Sequence, residues 1–330
     1  MDKRGCEGRG RKRRGQITAR REDGIHLRII RPGEVNDRFR PCAAALGFFD
    51  GVHKGHAAVI AAAASSELPT VVVTFSHHPG ELLGRGAVKT IMTAPFKEKV
   101  LGELGVDAVY YIDFASVKDM SAEEFLRDVV IGSVGAKRIF CGYNYRFGRG
   151  GTAGPDDLKR ICREYGAEGG SAAQVNIGDV PVSSTRIRAL IERGEVEAAA
   201  ELLGRRYGLY LEVVHGRSLA RSFGTPTINQ TMPQELLLPR FGVYASLAHV
   251  GGGLHAAVTN VGVKPTVGGT KALAETYIMD YDGDLYGRMV QVDLVRFMRP
   301  EQKFSSLGEL RSHIVSDAEH SRCFTEGLTL

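Results

Sequence analysis

Up to about residue 205 the sequence alternates β-branched runs with helix-period ones; beyond it, helical periodicity is scarce. Strand-like runs over 43–47, 70–75, 109–113 and 137–141 are separated by helix-like stretches, among them 57–65 and 122–130, the latter capped by Ser121. That rhythm predicts a parallel sheet with helices on its faces. Two short helices are expected at 184–193 and 195–203, the second stopped by Gly204. From 207 onward, β-rich runs at 209–214, 243–248, 255–259, 276–280 and 289–297 alternate with Gly, Pro and Asn turns, as in a small antiparallel barrel or sandwich. A closing helix is expected over 306–315.

The charge is as uneven as the pattern. Residues 1–23 hold nine Lys/Arg against four Asp/Glu, so their net +5 equals that of the whole chain and 24–330 is neutral. A basic balance can mark a nucleic-acid binder, but the folded part has no basic excess, and no specific nucleic-acid partner is expected. The Gly/Arg-rich segment has the composition of an unfolded tail, read either as a dispensable extension or as a weak RNA or membrane-surface contact. The longest apolar run, 57–64, has eight residues, against roughly 20 for a bilayer span. No apolar signal-peptide core follows the basic start. Five scattered cysteines without a CxxC pair argue against a disulfide scaffold or zinc site and fit a reducing cytoplasm.

The first string with chemistry is Gly47-Phe48-Phe49-Asp50-Gly51-Val52-His53-Lys54-Gly55-His56. A strand feeds a glycine turn, and the turn feeds a helix N-terminus, where free N–H groups and the helix dipole favour phosphate. Two imidazoles three residues apart share one side of a helical turn and can donate to charge growing on a leaving pyrophosphate. Taken alone, such a pair is as often a surface accident; the strand–turn–helix setting is what singles it out. Asp50 reads as structural, bonding backbone of the turn. At 184–188, Ser184 and Thr185 open a helix with Arg188 one turn on, which is either an anion site or an ordinary N-cap with a solvated arginine.

The 47–56 string resembles the signature of the HxGH nucleotidyltransferases, and specifically of the bacterial bifunctional riboflavin kinase/FMN adenylyltransferase family. Thr74-Phe75-Ser76-His77-His78-Pro79 resembles the family's Phe-x-Pro-His-Pro segment, with His77 in place of its first proline. Cys141-Gly142-Tyr143-Asn144-Tyr145-Arg146-Phe147-Gly148 and Val182-Ser183-Ser184-Thr185-Arg186-Ile187-Arg188 are similar to two further segments, in order. In the β-rich half, Gly224-Thr225-Pro226-Thr227-Ile228-Asn229 resembles the riboflavin kinase Pro-Thr-Ala-Asn motif, followed downstream by Glu275. Two positions depart: Ile228 replaces alanine, and Ala220 replaces the glycine before Arg221. In an extended segment Ile228 would point away from Thr227 and Asn229.

The resemblance implies a Rossmann-like adenylyltransferase domain over 24–186, a helical linker over 187–206 and a β-barrel kinase domain over 207–330. It implies that Gly47, Phe49, His53, Gly55, His56, Asn144, Ser184, Thr185 and Arg188 hold ATP, with His53 and His56 catalytic. In the kinase half it implies Arg221, Gly224, Pro226, Thr227 and Asn229 at nucleotide and flavin, with Glu275 as base. Thr227 and Asn229 offer the hard oxygens that suit Mg²⁺ carrying nucleotide phosphates. Lys264, Tyr286 and Arg299 are further candidates for substrate contact. The substrates implied are riboflavin, FMN and ATP, in a monomer or weak oligomer. An HxGH enzyme acting on phosphopantetheine, nicotinate mononucleotide or glycerol phosphate would have no need of the Pro-Thr-x-Asn half. A flavin- or RNA-binding regulator would not need Glu275, Thr227, His53 and His56 together.

Overall fold

The computed structural model describes residues 27–31, 33–34, 37–77, 80, 88–215, 227–266 and 269–328. The basic tail, His78-Pro79, Ala220, Arg221, Gly224 and Pro226 lie outside the described residues.

The first half is a six-stranded sheet with helices on both faces. In chain order it contains β1 (Arg28–Ile30), β2 (Cys42–Leu46), α1 (Lys54–Ala64), β3 (Thr70–Phe75), α2 (Ala94–Glu103), β4 (Ala108–Ile112), β5 (Ala136–Gly142), α3 (Pro155–Glu164) and β6 (Glu168–Ala172). The sheet order is β1-β4-β3-β2-β5-β6, and every pairing is parallel. All residues of β2 and β4 are buried, as expected of strands covered on both faces. Alternate residues serve opposite cores: Ala44, Leu46 and Val71 pack with Leu126 and Leu158, whereas Ala43, Ala45 and Val72 pack with Val59, Phe96 and Leu101. Each fully buried Val or Leu is worth about 1.5–3 kcal/mol.

The strand order matters for function. The chain runs outward from β2 through β3 to β4, then returns to place β5 and β6 on the other side of β2. Ligands of such sheets bind at the carboxyl ends where the order reverses, here between β2 and β5.

The second half begins with a small hairpin, β7 (Asn176–Ile177) and β8 (Val180–Pro181), then α4 (Ser184–Arg193) and α5 (Val196–Leu203). A closed antiparallel barrel follows: β9 (Tyr207–Val214), β10 (Thr227–Thr231), β11 (Gly242–Val250), β12 (Gly253–Thr266), β13 (Gly269–Ile278) and β14 (Met289–Arg299). Helix α6 (Leu307–Thr325) lies across it, with Ser321 Oγ donating to the Ala257 carbonyl at 2.7 Å. The helices α4 and α5 share one core with the barrel, through Ile187, Leu190, Leu202, Leu209 and Tyr244.

Several elements differ from the expectation. The helix expected over 122–130 is three α-residues, Ala122–Glu124, running into a nine-residue π-helix, Phe125–Ser133. Phe125 and Val130, five apart and both buried, match a turn widened to i→i+5 bonding, as in the Val134 N–H to Val129 carbonyl bond at 2.9 Å. Ser121 does cap it, in a reciprocal box with Glu124. Helices α2 and α3 lie outside the expected elements, although each carries Pro in its first turn. Helix α6 extends ten residues beyond its expected end.

Candidate active sites

The turn after β2 is held in a conformation that side chains rarely adopt. Phe49, Gly51 and Val52 have φ of 56°, 80° and 40°. Positive φ is an outlier for a β-branched valine, and such residues cost about 1–3 kcal/mol each unless their surroundings over-determine them. Those surroundings are dense. Asp50 Oδ1 accepts from the Ile91 N–H at 2.8 Å, and Oδ2 accepts from Arg188 Nη2 at 2.5 Å. Ser184 Oγ donates to the Asp50 carbonyl at 2.9 Å, and Arg205 donates to the Gly51 and Val52 carbonyls at 2.7 and 3.0 Å.

The turn delivers His53 to the N-cap of α1, where its Nδ1 accepts from the His56 N–H at 3.2 Å. A neutral imidazole accepting at Nδ1 carries its proton on Nε2. The two rings stack with centroids 3.6 Å apart, and the buried ring of Phe49 supports His56 edge-on at 5.3 Å. A Cβ on Gly55 would sit 3.1 Å from the His53 ring, and one on Gly47 would sit 3.0 Å from the Phe49 ring. The two glycines therefore make room for the rings that define the site.

Burial lowers His53 to about 4 and holds His56 well below the ordinary imidazole range, with the positive charge of Arg205 adding to the effect in both. Both imidazoles are therefore uncharged at neutral pH. Behind the turn, buried Lys97 is brought down to about 8 by burial; its Nζ lies 3.5 Å from the Phe48 carbonyl and over the Phe48 and Tyr111 rings.

The neutral His53 has a stability consequence. Unfolded, it titrates near 6.5, and folded near 4, so below pH 6.5 protons favour the unfolded chain. The folded state is expected to lose about 3 kcal/mol as pH falls from 6.5 through 4, since each tenfold difference in proton affinity between the two states is worth about 1.4 kcal/mol. Urea midpoints at pH 7 and pH 4.5 should drop by less in His53→Gln than in the wild type. Equal drops would mean that His53 is not held neutral.

A cleft of about 290 Å³ opens at the carboxyl ends of β2, β5 and β6, where the strand order reverses. Gly47, Phe49, His53, Gly55, His56, Asn144, Ser184 and Thr185 all line it, together with Tyr143 and Val182 of the same motif segments and Val175, which lies in none of them. Arg188, expected at ATP, is not among the residues that line the cleft. Its guanidinium is spent on Asp50 and on the Lys89 carbonyl (2.9 Å), so it braces the turn from behind. The Asp50 carboxylate, expected to bond backbone of its own turn, instead accepts from the Ile91 N–H and from Arg188, both outside the turn. Ser183, not Ser184, caps α4, its Oγ accepting from the Arg186 N–H at 3.3 Å, and it too lines the cleft.

A second arrangement lies on the outer face of the barrel. Thr227 and Asn229 are two apart on β10, and Asn229 pairs directly with Glu275 on β13, so the three occupy one face. Asn260 on β12 is the other cross-strand neighbour of Glu275. Lys264 Nζ pairs with Glu275 Oε1 at 2.5 Å, and Asn260 Nδ2 donates to Glu301 at 3.2 Å. Ile228 turns the opposite way and packs with Val213, Val290 and Val292, so the departure from alanine is absorbed by the barrel core. Arg299, a candidate for substrate contact, is bound to Asp317 of α6 at 2.6 and 3.0 Å. Tyr286 stacks on His215 at 3.9 Å. Among the described residues no group of three or more His, Cys, Asp or Glu is placed to hold a metal ion.

The two arrangements coincide with two family matches. The FAD synthetase family pattern covers residues 35–186, and the riboflavin kinase pattern covers 203–325. A bifunctional riboflavin kinase/FMN adenylyltransferase of Listeria monocytogenes is 33% identical over 294 residues, covering 85% of this chain and 91% of that protein. The protein of the same description from Escherichia coli K12 is 33% identical over 296 residues, covering 87% and 94%. A solved structure from Streptococcus pneumoniae, titled a macrolide-efflux protein, superposes with a TM-score of 0.75 at 29% identity, covering 90% of this chain and 99% of that one. Among the described residues no helix is long and apolar enough to cross a membrane. Two family patterns in this order, and relatives matched over nearly their whole length, place the chain in the bifunctional riboflavin kinase/FMN adenylyltransferase family.

Proposed function

We propose that the chain makes FAD from riboflavin in two ATP-consuming steps, the first on the barrel face around Glu275 and the second in the cleft around His53 and His56. The observation that carries this reading is the pair of stacked, neutral imidazoles at a helix N-terminus, set where the parallel sheet reverses its order.

In the cleft, an oxygen of the FMN phosphate attacks the α-phosphorus of ATP; that P–O bond forms as the bond to the β-phosphate breaks, and pyrophosphate leaves. The nucleophile is already an anion, so the site needs positioning and charge stabilisation more than a base. Its donor set fits. His53 offers Nε2–H, the start of α1 offers backbone N–H groups, and Asn144 and Thr185 line the same space. Arg188 contributes by fixing Asp50 and hence the turn.

On the barrel, the riboflavin 5′-hydroxyl is a poor nucleophile. Glu275 accepts its proton as the oxygen bonds to the γ-phosphorus and ADP leaves. Thr227 and Asn229 present neutral hard oxygens on the same face as one carboxylate, a donor set too small to cage an ion but suited to Mg²⁺ that arrives with nucleotide phosphates. When bound, that ion would neutralise charge on the transferred phosphoryl group. A cytoplasmic location agrees with the free thiols of Cys42, Cys141, Cys162 and Cys323.

Purified full-length chain incubated with riboflavin, ATP and MgCl₂ should form FMN and then FAD, followed by chromatography. FMN with ATP alone as co-substrate should give FAD and pyrophosphate. Flavin binding without either product would favour a regulator.

A further inference from the structure

The turn that carries His53 belongs to the segment matched by FAD synthetase, yet part of what holds it comes from the segment matched by riboflavin kinase. Arg205 is the second residue beyond α5, and β9 begins two residues later. From Nη1 and Nη2 it donates to the Val52 and Gly51 carbonyls, at 3.0 and 2.7 Å. Those carbonyls belong to the two residues that lead directly into the N-cap His53, and both residues have positive φ. We propose that Arg205 is a positioning residue for adenylyl transfer: the kinase half of the chain supplies the guanidinium that fixes the imidazole-bearing turn of the other half.

The local chemistry is specific to arginine. A planar fork bridges two successive carbonyls, where an ammonium offers a single point of charge. The strain at Phe49 and Val52 persists only if the turn is over-determined. Asp50, Ser184 and Arg188 secure its first half, and Arg205 is what holds the carbonyls of its second half.

Arg205 is itself seated by both halves. Its guanidinium lies 5.8 Å from the centre of the Phe96 ring on α2; Phe96 packs against Tyr210 of β9 at 5.9 Å, and Thr93 Oγ1 donates to the Tyr210 carbonyl at 3.4 Å. The end of α5 closes on the same turn, since a Cβ on Gly51 would meet Leu203 at 3.4 Å and one on Gly204 would meet Lys54 at 3.2 Å. Its positive charge also opposes protonation of His53 and His56, which keeps both as neutral donors. The kinase residues are remote from it. Asn229 pairs with Val214 at the far end of β9, about 23 Å of strand away from Tyr207.

This inference rests on the adenylyltransferase reading of the cleft. Full-length Arg205→Ala and Arg205→Lys, each assayed with FMN plus ATP and with riboflavin plus ATP, test it. Arg205→Ala should lose about 100-fold in kcat for FAD formation, because a misplacement of about 1 Å at the reacting groups costs that much. The KM for ATP should change by less than about threefold, and kcat for FMN formation should be unchanged. Arg205→Lys keeps the charge but bonds one carbonyl, and should recover about tenfold of the loss. The kinase rate of each preparation reports its folding. A kcat for FAD formation within about twofold of wild type in Arg205→Ala would overturn the proposal, as would parallel loss of both activities in both variants. A wild-type chain that makes no FAD from FMN would overturn the functional reading itself, and this inference with it.

Discussion

FAD formation from supplied FMN should fall at least about 100-fold in His53→Asn and about 1,000-fold in His53→Ala/His56→Ala, with FMN formation from riboflavin unchanged. The asparagine variant separates two duties that one side chain performs. His53 caps α1 through Nδ1 and presents Nε2–H to the cleft. Asparagine is among the best N-caps, so the helix keeps its cap, whereas its shorter amide does not reach the position of Nε2. Removal of one preorganised donor to developing charge typically costs about 10²–10³ in kcat. The double alanine variant should cost less than the sum of its singles, because the stacked rings act as one unit. Both rates are read by chromatography on the same preparation, so loss confined to FAD formation excludes unfolding. If His53→Asn made FAD within about threefold of the wild-type rate, the imidazoles would be structural and the charge on pyrophosphate would be met by backbone N–H groups alone.

How much of this was legible in the sequence depends on how far apart the interacting residues lie. The strand, turn and helix around His53 are contiguous, so the strand–turn–helix geometry could be read from glycine placement and a period change. The barrel was legible as a class, because β-rich runs with turn residues leave few other folds. Arg188 shows where local reading stops. A helix start with Ser, Thr and Arg one turn on is the same string whether the guanidinium meets a ligand phosphate or a carboxylate 138 residues away, and here it meets Asp50. The Arg205 contact spans 153 residues and is made to backbone carbonyls, which carry no residue identity to read. Val52 looks like an ordinary apolar residue in the string, and its left-handed φ appears only when the brace around it is assembled. The π-helix reads as α in the sequence because both bury apolar residues at nearly the same spacing, and they differ in hydrogen-bond partner.

Glu275→Gln should lower kcat for FMN formation by about 10²–10⁴-fold while FAD formation from supplied FMN proceeds at the wild-type rate. The asymmetry follows from the two nucleophiles. Riboflavin must shed a hydroxyl proton as its 5′-oxygen bonds to phosphorus, whereas the FMN phosphate has none to shed. Glutamine preserves the length of the side chain, and its backbone pairing with Asn229 and Asn260 in the ladder is untouched. The substitution leaves Lys264 without its partner, but that lysine is half exposed, so the barrel should stay folded. KM values for riboflavin and ATP should move by less than about threefold, since the base contributes to the transition state and not to uniform binding. The residual rate carries a second signature. Without a side-chain base the proton must leave to solvent hydroxide, so the rate of the variant should keep rising with pH over a range where the wild-type rate has levelled. Kinase activity of Glu275→Gln within about threefold of wild type would remove Glu275 from the mechanism and leave Lys264 as the group on that face whose position relative to the phosphates has to be explained.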